Sequence, residues 1–139
     1  MIIADTNVVS EFMRDTPDPV VLGWAESIEA SDLTICVVTV EEIERGLGRL
    51  PEGRRRRDLR ERWARLLEAY SDSVVVYDVL AARETAALLV VAEGAGQPMA
   101  LADAQIAGIC LAGNHELATR HVKDFSLAVG LAITDPFSS

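Results

Sequence analysis

Residues 1–11 read MIIADTNVVSE, an apolar run that leads into a single acidic residue. The apolar residues before Asp5 include two β-branched isoleucines and predict a short, buried parallel strand. Asp5 then lies just past the carboxyl end of that strand, where open parallel sheets bind their ligands. Asp is also a preferred N-cap residue, so Asp5 either anchors a functional site or only caps the next helix. The functional interpretation is favoured only if acids from later in the chain lie close to Asp5.

The rest of the chain alternates predicted helices with predicted strands. Helices are expected over residues 7–14, 19–30, 39–50, an arginine-rich segment ending at 70, 79–94 and 102–112, and strands over 33–38, 74–77, 116–119 and 131–134. Such alternation predicts an α/β fold, a three-layer α/β/α domain with a mainly parallel sheet of four to five strands. We expect residues 1–139 to form one domain.

Composition favours a soluble, cytoplasmic protein with no membrane association. Half of the 139 residues are hydrophobic, which is enough for a sizeable core. No apolar run is long enough to span a bilayer, and no lipidation signal is present. Cys36 and Cys110 lie in strand-like and helical runs, and we expect both to be buried core residues without chemistry.

Positive charge is concentrated in one segment of an acidic chain. Residues 45–65 hold nine arginines against three acids, a net +6, which leaves −15 for the remainder of a chain of net charge −9. Arginine suits bidentate recognition of phosphate or carboxylate. A solvated helix stabilised by the ion pairs Asp58–Arg62 and Glu61–Arg65 would have the same composition. Spacing alone leaves both interpretations open.

Three further acids could join Asp5. Glu42 lies three residues after Thr39, a T-x-x-E spacing typical of a capping box, which does not exclude a second role as a ligand. Asp103 interrupts an otherwise apolar helix start, where a merely solvated acid would be poorly placed. Asp124 follows the fourth predicted strand. In a doubly wound sheet all of these positions border the same edge, so the acids can converge.

Convergence of four carboxylates has a chemical consequence. Each raises the pKa of its neighbours, and the cluster stays ionised near neutral pH only if a cation neutralises it. Oxygen ligands without a His or Cys set indicate Mg²⁺ or Mn²⁺. The chemistry that fits is hydrolysis of a phosphodiester by a metal-activated water, with no side-chain nucleophile.

Five motifs in order then identify a resemblance that covers essentially the whole chain. They are D-T-N-x-x-S-E at 5–11, T-x-x-E-I-x-x-G at 39–46, L-P-E-G-R-R-R-R at 50–57, A-D-A-x-I-A at 102–107 and A-T-R-x-x-K-D-F at 118–125. Together they resemble the PIN-domain ribonucleases, specifically the VapC/FitB-like toxins of type II toxin–antitoxin systems. The resemblance implies an endoribonuclease that depends on Mg²⁺ or Mn²⁺.

The same resemblance assigns roles to residues. It implies that Asp5, Glu42, Asp103 and Asp124 are the catalytic, metal-binding acids, and that Thr6, Asn7, Glu11 and Thr119 are supporting polar residues. The chain departs from the family at His121, where the family usually has Asn. That departure makes Asp124 the member of the set with the least support.

Partners also follow from the resemblance. It implies an RNA substrate and an antitoxin encoded nearby, in a homodimer or a toxin–antitoxin hetero-oligomer, with an antitoxin Arg or Lys inserted among the acids. We expect an apolar groove between the first two helices and the arginine-rich one, with Trp24 and Trp63 as anchors for an antitoxin helix. Residues 54–57, the four consecutive residues Arg54, Arg55, Arg56 and Arg57, then hold either RNA phosphates or acidic antitoxin residues.

Two other classes of protein are alternatives. A receiver-like phosphoacceptor module would use Asp5, Asp78 and Thr119, but it requires an acidic pair after the first strand and a lysine after the last, and neither is found. A catalytically silent interaction domain would be favoured by loss of one of the four acids, and all four are present. RNA cleavage, aspartyl phosphorylation or neither distinguishes the three.

Overall fold

The computed structural model describes residues 1–138, which form four strands and six α-helices. The strands are β1 (Ile2–Ala4), β2 (Leu33–Thr34), β3 (Glu116–Ala118) and β4 (Ile133–Thr134). The helices are α1 (Thr6–Phe12), α2 (Pro19–Glu26), α3 (Val37–Arg49), α4 (Arg54–Tyr70), α5 (Val79–Gly94) and α6 (Leu101–Gly113), with short 3₁₀ helices at Ala30–Asp32 and Val122–Phe125. Within the described residues, no helix is both long and apolar enough to cross a membrane.

The sheet is entirely parallel, in the order β2-β1-β3-β4. Ile2 pairs with Leu33 on one side and with Glu116 on the other, so β1 is an interior strand. Asp5 follows this strand directly and therefore lies in the middle of the carboxyl edge of the sheet. The predicted parallel sheet is confirmed, with four strands.

Helices cover both faces of the sheet, because alternate residues of a strand point to opposite faces. Ile3 belongs to a buried cluster built with α5 and α6. Ala4, the next residue, belongs to a second cluster built with α1, α2, α3 and α4. The predicted three-layer α/β/α fold is thereby confirmed. Cys36 and Cys110 are both buried in the first cluster, as expected.

All four strands predicted after β1 are shorter in the structure, those over 116–119 and 131–134 by one and two residues. The strand predicted over 33–38 ends at Thr34, since α3 begins at Val37, and the strand predicted over 74–77 is reduced to one bridge between Cys36 and Val75. Val75 donates a hydrogen bond to the Ile35 carbonyl oxygen and accepts one from the Val37 amide. Helix α3 then turns the chain away, so the β-branched residues on either side have no further strand partner.

Candidate active site

Asp5 has both of the roles that its sequence position suggests. It is the N-cap residue of α1, and its Oδ1 accepts a hydrogen bond of 2.8 Å from the Thr6 amide. Its Oδ2 accepts hydrogen bonds from Thr119 Oγ1 at 2.7 Å and from Asn7 Nδ2 at 3.1 Å. The carboxylate is buried and held at both oxygens, so the cap and the site share one side chain.

Thr119 and Asn7 connect Asp5 to the segment that follows β3. Thr119 is fully buried, and its Oγ1 also accepts hydrogen bonds from Asn7 Nδ2 and from the His121 amide, each at 3.1 Å. Asn7 Oδ1 in turn accepts a bond of 3.0 Å from the Arg120 amide. These bonds fix the orientation of the Asp5 carboxylate and join the loops after β1 and β3.

Glu42 is held against the same loop by Thr6. Thr6 Oγ1 donates a hydrogen bond of 2.7 Å to Glu42 Oε1 and lies 3.2 Å from Thr39 Oγ1. Glu41, its neighbour in sequence, instead pairs at the surface with Arg45 at 2.9 Å. Only Glu42 of the two acids therefore faces the site.

The predicted capping box at Thr39 is wrong. Helix α3 begins two residues earlier, with Cys36 as an N-cap residue that makes no side-chain cap bond. Thr39 is buried inside the helix and supports Thr6, a role that the sequence interpretation missed. The spacing of Thr39 and Glu42 could have indicated this role, because residues three apart share one face of a helix.

The pKa of Asp103 is affected by the charges of the other three acids. Asp103 lies in the first turn of α6 and is half-buried. Burial and the negative charges of Asp5, Asp124 and Glu42, in that order, raise its pKa from 3.8 to about 6, and His121 opposes the shift. The structure thus brings acids from four separate segments to one edge of the sheet.

This raised pKa predicts a pH-dependent stability difference. In metal-free protein the folded state binds the Asp103 proton more tightly than the unfolded state, so the group stabilises the fold below its unfolded pKa of 3.8. That contribution is lost as the pH rises through about 6. Because Asp103→Asn removes the titration, the melting temperature of the variant minus that of the parent should increase from about pH 4 to about pH 7. Thermal melts in chelator check this, and a constant difference would contradict it.

Asp124 is the most accessible of the four acids. It lies in the 3₁₀ helix Val122–Phe125, and its side chain is 54% exposed. His121 Nδ1 lies 3.4 Å from Asp124 Oδ2, so the residue that departs from the family pattern touches this acid directly. The cluster therefore opens to solvent on the Asp124 side.

Glu11, predicted to support the site, lines the same pocket as Glu42 but makes its hydrogen bonds to other residues. Its carboxylate is buried, where it accepts hydrogen bonds from the Arg14 guanidinium and, at 2.9 Å, from the Asp18 amide. It makes no hydrogen bond to the other predicted site residues within the described part of the chain. Its position indicates that Glu11 holds the loop between α1 and α2.

The four acids are close enough for their charges to interact, but they do not form a complete set of metal ligands. Among residues 1–138, no group of three or more His, Cys, Asp or Glu side chains is arranged as a metal site. After burial, the negative charges of the other three acids raise the pKa of Asp103, and a bound cation would offset that repulsion.

A groove leads away from this cluster. It begins at Thr6, Asn7 and Glu42, runs between α1, α3 and α4, and has a volume of about 1080 Å³. The predicted groove was placed partly wrongly, because α2 does not line it.

Trp63 is also not an anchor for a partner. Trp63 is only 4% exposed, because its indole belongs to the core cluster beneath α4. Its Nε1 donates a hydrogen bond to Glu44 Oε2.

Asp78, which the receiver-like alternative requires, is not part of the cluster. Its Oδ1 accepts a hydrogen bond of 2.9 Å from the Ala81 amide, so it caps α5. Its position is explained by the helix that it begins.

The chain is similar to known proteins over almost its whole length. The sequence pattern of the PIN domain matches residues 2–126. The chain is 35% identical over 138 residues to the VapC ribonuclease Y4jK of Sinorhizobium fredii, covering 99% of this chain and 98% of that protein. It is 30% identical over 138 residues to the toxin FitB of Neisseria gonorrhoeae, covering 99% of each.

Similarity extends to a solved structure. The crystal structure of FitAcB from Neisseria gonorrhoeae includes a chain that matches this one with a TM-score of 0.90 and 29% identity, and each chain is covered completely. These matches exclude the receiver-like alternative, because they extend over the whole chain. The chain therefore belongs to the PIN-domain family and, within it, to the VapC/FitB-like toxins.

Proposed function

We propose that this protein is a metal-dependent endoribonuclease and the toxin of a type II toxin–antitoxin pair. Asp5, Glu42, Asp103 and Asp124 are its metal-binding acids. The observation that supports this most strongly is that acids from four separate segments lie at one edge of the sheet, where burial and then the charges of Asp5, Asp124 and Glu42 raise the pKa of Asp103. Relatives named a ribonuclease and a toxin support the substrate class and the biological role.

Mg²⁺ or Mn²⁺ fits the donor set. The candidate ligands are all carboxylate oxygens, which hard cations prefer, and their mutual repulsion would be relieved by binding. A bound ion supplies an activated water and offsets charge that develops on the phosphate during hydrolysis.

The chain's own residues prepare the site for that chemistry. Thr119 and Asn7 orient the Asp5 carboxylate, and Thr6 orients Glu42. Asp103 lies in the first turn of α6, where the helix dipole favours a negative charge. Buried positions at Asp5 and Thr119 exclude bulk water from one side, while Asp124 leaves the other side open to substrate.

An antitoxin is the second partner in this proposal. A nuclease that cuts cellular RNA must be restrained in the cell that makes it, and an Arg or Lys from the antitoxin among the four acids would do so. A cytoplasmic location and a homodimer or toxin–antitoxin hetero-oligomer belong to the same proposal and rest on the resemblance.

Metal should stabilise the protein by mass action. Adding Mg²⁺ or Mn²⁺ to chelator-treated protein should raise the melting temperature, and the rise should grow with metal concentration. At a metal concentration of about 100 times Kd the free energy of unfolding should increase by about 2.7 kcal/mol. Asp103→Asn should lose most of the increase. Differential scanning calorimetry checks this, and equal increases in parent and variant would exclude Asp103 from the metal site.

Expression in cells tests the biological role. Induction of the parent should arrest growth and produce RNA fragments with recurrent ends, whereas Asp103→Asn should do neither. Sequencing the fragment ends identifies the RNA that is cut. Growth arrest without new RNA ends would contradict the proposal of a ribonuclease toxin.

A further inference from the structure

We propose that Arg54 and Arg55 hold RNA phosphates in the groove that leads from the acids, and that Arg56 and Arg57 do not. This inference rests on the proposed ribonuclease function and adds a path for the RNA. It divides a run of four arginines that is uniform in sequence.

The groove connects Glu42, the one of the four acids that lines it, to one face of α4. Its lining on that helix consists of Arg54, Arg55, Asp58, Leu59 and Arg62. From Arg54 to Arg62 the helix rises about 12 Å, at 1.5 Å per residue. RNA that reaches Glu42 can therefore continue along the groove to Arg54 and Arg55.

Arg62 is not available to a ligand, although it lines the groove. Its Nη1 donates a hydrogen bond of 2.8 Å to the Met13 carbonyl oxygen, and its Nη2 pairs with Asp15. The contact with Asp15 lowers the pKa of that acid, and both contacts fix the chain just after α1 against α4. Arg62 therefore shapes one wall of the groove.

Arg54 and Arg55 have no such contacts. Both are exposed, and neither side chain makes an ion pair or a hydrogen bond with any residue in 1–138. Arg55 contributes to lowering the pKa of Asp15, which places its charge near the Arg62 contact. Two uncommitted guanidinium groups thus face the groove, and guanidinium groups bind phosphate oxygens well.

Arg56 and Arg57 lie outside the groove. Arg56 is half-buried, and its Nε has no hydrogen-bond partner within the described residues. Arg57 is exposed, as is Arg60 one turn further along α4, which also lies outside the groove. Arg57 and Arg60 are therefore a matched pair of control residues.

The ion pairs expected of a self-contained charged helix do not form. Arg62 pairs with Asp15 rather than with Asp58, and Arg65 Nε donates to the backbone oxygen of Glu61. Helix α4 holds seven arginines and three acids and therefore keeps a net positive charge. In a chain whose remainder carries −15, this favours a polyanion over an acidic peptide, because RNA needs a local basic surface to approach at all.

The test measures RNA binding with charge-matched variants. All proteins carry Asp103→Asn so that RNA is bound without being cut, and the probe is a short fluorescein-labelled single-stranded RNA of mixed sequence. Arg54→Gln with Arg55→Gln should raise Kd about tenfold or more at low salt. It should also reduce the slope of log K against log salt by about 1.4, since each lost phosphate contact removes about 0.7. Arg57→Gln with Arg60→Gln removes the same charge and should leave the slope unchanged.

Two results would overturn the inference. An equal loss in both double variants would mean that only net charge matters, and unchanged RNA affinity in the groove variant would assign the groove to a protein partner. Failure of the proposed function is separate, since it would appear as no metal-dependent cleavage of the same RNA by the parent chain. Weaker binding by the groove variant alone would still support the RNA path.

Discussion

Replacing Asp103 with Asn should lower RNA cleavage more than about a hundredfold without unfolding the protein, since loss of a metal ligand costs at least as much as loss of its supporting residues. The change is nearly isosteric and removes one of the four interacting charges. For the same reason the metal-free variant should melt at or above the temperature of the parent near neutral pH. Single-turnover cleavage of a labelled RNA, together with thermal melts, measures both effects.

Glu41→Gln is the matched control for this experiment. It also replaces an acid by its amide, next to the site residue Glu42, but Glu41 is exposed and pairs only with Arg45. Its cleavage rate should stay within about twofold of the parent, as expected of a surface ion pair. Full activity in Asp103→Asn would remove Asp103 from the site, and equal losses in both variants would indicate a nonspecific charge effect.

Gly108→Ala should be the most destabilising small substitution on α6. A Cβ at Gly108 would overlap Thr85 Oγ1 and lie 2.7 Å from the Ala81 carbonyl oxygen of α5. Thr85 is itself buried, with its Oγ1 2.8 Å from Ala81 O and 3.3 Å from Ala104 O, so it has little room to move. Overpacking of this kind costs about 1–3 kcal/mol, or about 3–10 °C in Tm for a chain of this size.

Gly48→Ala on α3 is the control for that prediction. An added Cβ meets nothing within 4 Å there, and the residue does not need a positive φ. Because alanine is the better helix former, the change should be neutral or stabilise the fold by up to about 1 kcal/mol. Similar Tm values for the two variants would contradict the close packing of α5 on α6 that sets the position of Asp103.

Much of the fold follows from local patterns. The apolar run before Asp5 predicted the interior strand, and helix α5 occupies the predicted residues 79–94. The errors fall where tertiary context decides. Val37 and Val38 are β-branched but begin α3, and Val74 and Val76 flank a single bridge because the chain gives them no neighbouring strand.

The sequence singled out four acids that the structure places at one edge of the sheet, and their role as metal ligands stays a prediction. The contacts that support them could not all be assigned from sequence. Thr39 fits a capping box by spacing, and only the actual start of α3 shows that it supports Thr6. Glu11 belongs to the first motif, but its carboxylate accepts a hydrogen bond from the Asp18 amide in the loop after α1. Trp63 illustrates the same limit, because periodicity marks an apolar position without telling a core residue from a binding anchor.

Cleavage of a labelled RNA by chelator-stripped protein tests the central claim most directly. If the four acids act through a bound cation and an activated water, the stripped protein should be inactive, and added Mg²⁺ or Mn²⁺ should restore cleavage. Because water is the nucleophile, the fragments should carry no 2′,3′-cyclic phosphate, which forms when the ribose 2′-hydroxyl attacks. Cleavage that persists after thorough chelation, or fragments that end in a cyclic phosphate, would contradict the account.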